Sequence, residues 1–296
     1  MNKLLALSGI ALSLALAACG GGGGSDSSSP AQNSAVPTPT PTPTSAPTPT
    51  PAPTPTPTPQ PQPPSLSAPD AGSTAAVGNG FEGYWKSSLS TSSNPRLAIV
   101  APDGKFVAID STSNTYWSGT ATPAGTNWVA SPAEQLASGN VTAFNDGGTF
   151  VAKTSLTDTA AGSSFVFDTY APANALATTA ASVAGTWGDG FPAKVIVAQD
   201  GSFTGTTVTS GSVGVCNYSG TITLVDPSSK KNIFNVTLTV AQSAACHLVY
   251  GTSYTGLATI DVVNKGTQSA PIYGKNLITV LRVPGQAYLW MQLPLQ

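Results

Sequence analysis

Two stretches of this 296-residue chain, about 100 residues apart, carry the same three landmarks in the same order. The first reads Gly83-Tyr84-Trp85, then Leu97-Ala98-Ile99-Val100-Ala101-Pro102-Asp103-Gly104-Lys105-Phe106, then Tyr116-Trp117-Ser118-Gly119-Thr120. The second reads Gly185-Thr186-Trp187, then Val195-Ile196-Val197-Ala198-Gln199-Asp200-Gly201-Ser202-Phe203, then Tyr218-Ser219-Gly220-Thr221. Self-similarity at a fixed interval marks one supersecondary unit used twice. The chain is therefore expected to hold two homologous units, roughly 81–172 and 183–296, joined by the Ala-rich segment Ala173 to Ser182.

Within each unit, short runs of aromatic and β-branched residues are separated by Gly, Asn, Asp, Ser and Pro at intervals near ten residues. Alternation is plain in Lys105-Phe106-Val107-Ala108-Ile109, Lys194-Val195-Ile196-Val197 and Asn232-Ile233-Phe234-Asn235-Val236-Thr237-Leu238. Nothing sustains a 3.6-residue apolar stripe; only 131–138 and 174–182 suggest single helical turns. The fold class is all-β, with two tandem antiparallel units of about eight strands, each a small up-and-down barrel or a sandwich. Asp103-Gly104 and Asp200-Gly201, between apolar runs, are expected to make type I′ hairpin turns.

Ahead of the units lies a different kind of sequence. Met1-Asn2-Lys3 supplies a positive start, Leu4 to Ala18 is apolar apart from Ser8, Gly9 and Ser13, and the run ends in Leu16-Ala17-Ala18-Cys19. This is the layout of a secretory signal, residues 1–18, too short to span a bilayer. Gly20 to Gly24 and a Ser/Asp stretch follow, and 16 of the 26 prolines lie between Pro30 and Pro69. Alternating proline removes backbone donors and holds φ, so 19–80 is expected to be an unfolded stalk. Its 28-residue Pro-Thr core, Pro37 to Pro64, reaches about 90 Å at ~3.1 Å per residue. Gly78-Asn79-Gly80-Phe81-Glu82-Gly83 matches G-x-G-x-x-G but follows no strand and opens no helix, so it is read as a hinge.

Leu16-Ala17-Ala18-Cys19 resembles the lipobox of bacterial lipoproteins, which implies that the Cys19 thiol carries diacylglycerol and the mature N-terminus is acylated, palmitate being a usual chain. Gly20, in place of the aspartate that retains many such proteins in the inner membrane, implies the outer membrane, with the leaflet open. Gly185-Thr186-Trp187, Asp200-Gly201-Ser202-Phe203-Thr204-Gly205 and Ser219-Gly220-Thr221 resemble the opening strands of avidin-like and lipocalin-like barrels. They are also similar to the repeated unit of proteobacterial lipoproteins that carry a low-complexity stalk. The polar set with which avidins hold biotin is not matched: the corresponding positions are Asp189 and Ala193, or Ser87 and Thr91 in the first unit. The resemblance thus implies architecture and not biotin.

Chemistry is sparse. Eleven Lys and Arg against thirteen Asp and Glu leave no basic patch to neutralise a phosphate backbone, so nucleic acid is not an expected partner. With Cys19 committed to lipid, Cys216 and Cys246 are a natural disulfide pair in an oxidising compartment. Their spacing is not that of a redox or zinc motif. The single His247 has no G-x-S-x-G elbow to serve, and Asp103 and Asp200 sit in turn dipeptides. No catalytic site, metal or cofactor is expected.

Aromatic residues are the remaining candidates. Neighbours such as Tyr116-Trp117 point to opposite faces of a strand, so one ring of each pair lies outside the core, at the surface or at an interface. Tyr84, Tyr116, Trp117, Trp128 and Trp290 are the candidate binding aromatics, with packing between the two units as the rival reading. The expected function is non-enzymatic: an outer-membrane lipoprotein, held to the membrane through Cys19, whose stalked β head binds a protein or glycan partner. The alternative is a barrel that holds a small apolar ligand or nutrient.

Overall fold

The computed structural model describes residues 63–91, 94–137, 139–158, 166–189, 193–207 and 214–296. Cys19 and nearly all of the Pro-Thr stretch lie outside them. The fold is all-β, two separate antiparallel sheets that each curl nearly to closure.

The first sheet runs β1 (Gly83–Lys86), β2 (Arg96–Val100), β3 (Lys105–Asp110), β4 (Thr115–Ala124), β5 (Asn127–Ala137), β6 (Asn140–Val151), β7 (Ser155–Asp158), β8 (Val166–Phe167) and β9 (Thr169–Tyr170). Each strand pairs with its sequence neighbour, while β8 and β9 are two halves of one segment: β8 lies on β7 and β9 on β1, which brings the sheet round on itself. Two single 3-10 turns, Pro172–Ala175 and Ala180–Val183, lead to the second sheet. That sheet is an uninterrupted meander: β10 (Gly185–Trp187), β11 (Ala193–Val197), β12 (Ser202–Thr207), β13 (Cys216–Leu224), β14 (Phe234–Val240), β15 (Ser253–Asn264), β16 (Tyr273–Val283) and β17 (Ala287–Pro294). Its ends meet where Gly188 N donates to Pro294 O at 2.7 Å and Gln296 N to Thr186 O at 3.0 Å. Of the two architectures compatible with the sequence, the structure is the barrel.

The repeated landmarks are the same local structure built twice. The indole of Trp85 donates to Phe81 O at 2.9 Å and that of Trp187 to Val183 O at 2.7 Å, four residues back in each case. Phe106 lies opposite Gly119, and Phe203 opposite Gly220. The Asp-Gly turns differ from type I′. Among the turn residues only Gly104 (φ 85°) and Gly201 (φ 83°) have positive φ. Gly104 N donates to Ala101 O at 2.9 Å and Gly201 N to Ala198 O at 3.0 Å. This is a type I turn followed by a left-handed glycine, the three-residue hairpin loop. The aspartate stays right-handed because its carboxylate accepts the N–H two residues on, from Lys105 and from Ser202.

Three apolar clusters follow from strand alternation. In the first barrel Trp85, Ala98, Val100, Phe106, Ala108 and Trp117 point inward, joined by Trp128, Phe167 and Tyr170. In the second, Trp187, Phe203, Tyr218, Phe234, Tyr254 and Leu281 do the same. The intervening positions of β1–β4, namely Tyr84, Leu97, Ile99, Val107, Ile109 and Tyr116, face out and meet Leu257, Ile278 and Val280 on the outer face of β15 and β16. β2 and β3 are thus buried on both faces, so the run from Lys105 to Ile109, expected to alternate, is buried continuously from Phe106 on.

Polar staples complete the junction. Lys231 Nζ lies 2.9 Å from Glu82 Oε1, and Lys86 Nζ 2.6 Å from Asp261 Oδ2. Fully buried Asn232 donates to Ala173 O at 3.1 Å and Ile260 O at 2.7 Å and accepts from Ile260 N at 3.0 Å, while its own N–H donates to Thr74 Oγ1 at 3.2 Å. Replacing Asn232 by alanine strands two backbone groups, Ile260 N and Ile260 O, away from water and leaves Ala173 O with Leu176 N alone as donor. An unsatisfied buried group costs about 1–3 kcal/mol, so the expected loss in chemical denaturation is about 2–3 kcal/mol. A loss under about 0.5 kcal/mol would show that water replaces the amide there.

Three further expectations need correction. The folded body begins before Phe81: a single helical turn, Thr74–Val77, has Thr74, Ala75 and its capping residue Ser73 buried, and Asp70 N donates to Ala175 O at 2.9 Å. Small side chains packed by backbone contacts leave no apolar periodicity to read. Second, 78–83 is no hinge: Asn79 Oδ1 accepts from Phe81 N at 2.9 Å and Glu82 N at 3.2 Å, and Phe81 and Glu82 are buried. Third, 131–138 belongs largely to β5 and not to a helical turn, with the pairing shifted by a bulge between Ala130 and Ala133. Pro132 cannot donate to the ladder, and the bulge skips it.

Candidate functional site

Four of the five candidate aromatics are buried. Tyr84 and Tyr116 are each 2% exposed, at the junction of the barrels; Trp117 and Trp128, 5% and 3% exposed, point into the first barrel. Trp128 Nε1 donates to Thr157 O at 3.1 Å, and Tyr116 stacks on Tyr288 at 4.8 Å between ring centres and 12° between planes. Of the five, Trp290 alone is partly exposed, at the rim of the junction. Burial pushes the hydroxyls of Tyr84 and Tyr116 well above the usual tyrosine range, the Asp261 charge adding to the effect at Tyr84. These rings stay neutral and offer no face to a partner. Tyr84 and Tyr116 are spent on the contact with the second barrel and Trp117 and Trp128 on the core of the first, so these four expected binding rings are buried.

Cys216 and Cys246 are bonded, their Cα atoms 4.8 Å apart. The bridge ties the start of β13 to the connection between β14 and β15, and the latter's Leu248 and Val249 pack against the core of the second barrel. His247 beside it is exposed. Asp103 and Asp200 occupy their turns, and the Ser202 hydroxyl bonded to Asp200 holds that carboxyl below its usual range. Glu82 is paired with Lys231, and Glu134 with Arg282 at 2.6 Å. Among the described residues no three His, Cys, Asp or Glu side chains converge, and no helix is long and apolar enough to cross a membrane.

What the fold leaves free is the outer face of β12–β14 in the second barrel, with the adjoining start of β15 at Ser253 and Thr255. Pairing across these strands sets Thr204, Ser219, Thr239 and Ser253 side by side, and next to them Ser202, Thr221, Thr237 and Thr255. All eight side chains are exposed. Ile196, 51% exposed, extends the first row on β11, and Arg282 ends the second on β16. A shallow saddle of about 610 Å³ adjoins the first row. A groove of about 580 Å³ between the barrels adjoins the second, where Arg282 reaches across to Glu134 and donates to Ser118 Oγ.

The signal for these rows lies in the sequence as hydroxyls at every second position, in Ser202-Phe203-Thr204 and Ser219-Gly220-Thr221. Their alignment across four strands is set by register, which no single strand reveals. No protein-family model, curated protein or solved structure matches this chain.

Proposed function

We propose that the chain is a lipid-anchored envelope protein whose two-barrel head is a binding module and not an enzyme. Leu16-Ala17-Ala18-Cys19 and the Pro-Thr stretch supply the anchor and the spacer. The observation that carries the binding role is the division of the second barrel's surface: the outer face of β15–β16 is consumed by the first barrel, while that of β12–β14 lies open with every outward side chain of its two central rows exposed. Against a ligand-holding cup stand the barrel interiors, where Trp85 and Tyr170 meet at 4.9 Å and Phe203 and Tyr218 at 6.4 Å between ring centres.

In this reading the lipid on Cys19 is the membrane attachment and the outer membrane its place. Each buried methylene contributes ~0.8 kcal/mol and one chain binds marginally, so two or more chains are needed for stable retention. Cys19→Ala expressed in a Gram-negative host should abolish labelling by radioactive palmitate and move most of the protein from the membrane to the soluble fraction. Unchanged fractionation and labelling would overturn the anchor.

A further inference from the structure

The two hydroxyl rows on the second barrel are the surface feature that the fold itself does not use. Within them Thr239 and Ser253 bond each other at 3.1 Å and Ser202 bonds Asp200 at 2.7 Å; the other five hydroxyls have no partner among the described residues. Ser and Thr are not simply what exposed strand positions hold in this chain, since Val129 and Val151 on the first barrel are 52% and 57% exposed.

We propose, building on the binding role above, that this face binds a neutral polysaccharide. The rows contain no ionisable side chain, and the charges at their rim balance: exposed Lys194 beside Ile196 is matched by Asp200 at Ser202, and Arg282 is paired with Glu134. A charged polymer therefore finds no excess of counter-charge here, and an apolar one finds Ile196 as the large apolar side chain of the rows. A hydroxyl both donates and accepts, so an array of them can pair with sugar hydroxyls in either sense. The array is periodic: about 4.8 Å from strand to strand and about 6.8 Å between alternate residues along a strand. A periodic, uncharged array suits a partner that is itself a repeating chain of polyols, and Ile196 beside Thr204 gives the apolar face of a sugar ring something to cover. Each exchange of water for a sugar hydroxyl is nearly even, so affinity comes from the number of contacts along the chain.

The test is cosedimentation of the full-length protein, in detergent, with insoluble chitin, cellulose and a β-1,3-glucan, and with alginate-coated beads as the anionic control. Binding to at least one neutral polymer and not to alginate is expected, little changed between about 0.05 and 0.5 M salt because the charges at the rim balance and none lies within the rows. Thr204→Val, Ser219→Ala, Thr237→Val and Thr239→Val together should weaken it about tenfold or more. Thr204→Ser, Thr237→Ser and Thr239→Ser keep the hydroxyls and should retain binding, which separates loss of contact from loss of fold. Failure to bind any of the three neutral polymers, binding indifferent to the Val variant, or self-association of the protein through this face would each overturn the proposal. Isolated cell envelopes tested in parallel with the unlipidated Cys19→Ala chain separate the two levels. Retention that survives the Val variant leaves the binding module standing and removes the glycan, and no retention removes the binding module itself.

Discussion

Replacing Trp187 by alanine should lower the stability of the protein by about 3–5 kcal/mol, the range for deleting a large aromatic from a packed core. Trp187 is fully buried, its indole N–H is satisfied by Val183 O, and it sits where β10 meets the end of β17. The variant therefore loses ring contacts, leaves a buried carbonyl without its donor and opens the seam of the second barrel. Trp85→Ala should cost a similar amount in the first barrel, where the same bond runs to Phe81 O. Urea denaturation followed by far-UV circular dichroism measures both. Because the barrels share the apolar junction around Ile99, Ile278 and Val280, each variant is expected to shift one common transition. Two separate transitions, only one of them moved, would show that the junction does not couple the barrels. A cost below about 1 kcal/mol at Trp187 would mean that the seam does not depend on this ring.

The second large effect is expected from the disulfide. Cys216 and Cys246 are 30 residues apart, and closing a loop of that size contributes roughly 3–4 kcal/mol in the chain-entropy model. Cys216 is fully buried, so reductant reaches it slowly and the double variant Cys216→Ala/Cys246→Ala is the cleaner comparison. Its urea midpoint should fall by the corresponding amount. The connection from Ala241 to Thr252 should also become open to protease, since beyond the bridge it is held mainly by Leu248 and Val249 on the core and by Val249 N donating to Tyr254 Oη at 3.1 Å. An unchanged midpoint would show that native contacts alone place this segment. Equal stability loss with no new cleavage would confine the effect of the bridge to the unfolded chain.

Both effects concern residues that stand out in the amino-acid sequence: tryptophans at matching places in a repeat, and the cysteine pair left once Cys19 is assigned to lipid. The candidate site is less legible there. Strand alternation makes Tyr84 and Tyr116 the rings of their pairs that need not enter the same core as Trp85 and Trp117, and they do lie outside it. Which surface receives them depends on β15 and β16, more than 130 residues further along the chain, and no local pattern carries that information. The hydroxyl rows escape a strand-by-strand reading for a related reason. Ser and Thr at alternate positions look like an ordinary solvated strand face until four strands are brought into register.

What the sequence by itself determined is local or periodic. Alternation specified strands, because successive side chains on an extended backbone must face opposite ways; the repeat specified two units; Asp-Gly specified tight turns, with glycine taking the left-handed conformation at Gly104 and Gly201. The tertiary structure decided everything that depends on which outer face meets which. It placed the first barrel on β15–β16, drew Ser73 to Ala75 into the body, joined Asn232 to Thr74, Ala173 and Ile260, and left β12–β14 open. The reason is physical: the direction of a side chain is settled within two residues, but its burial is settled by whatever surface the rest of the chain brings against it.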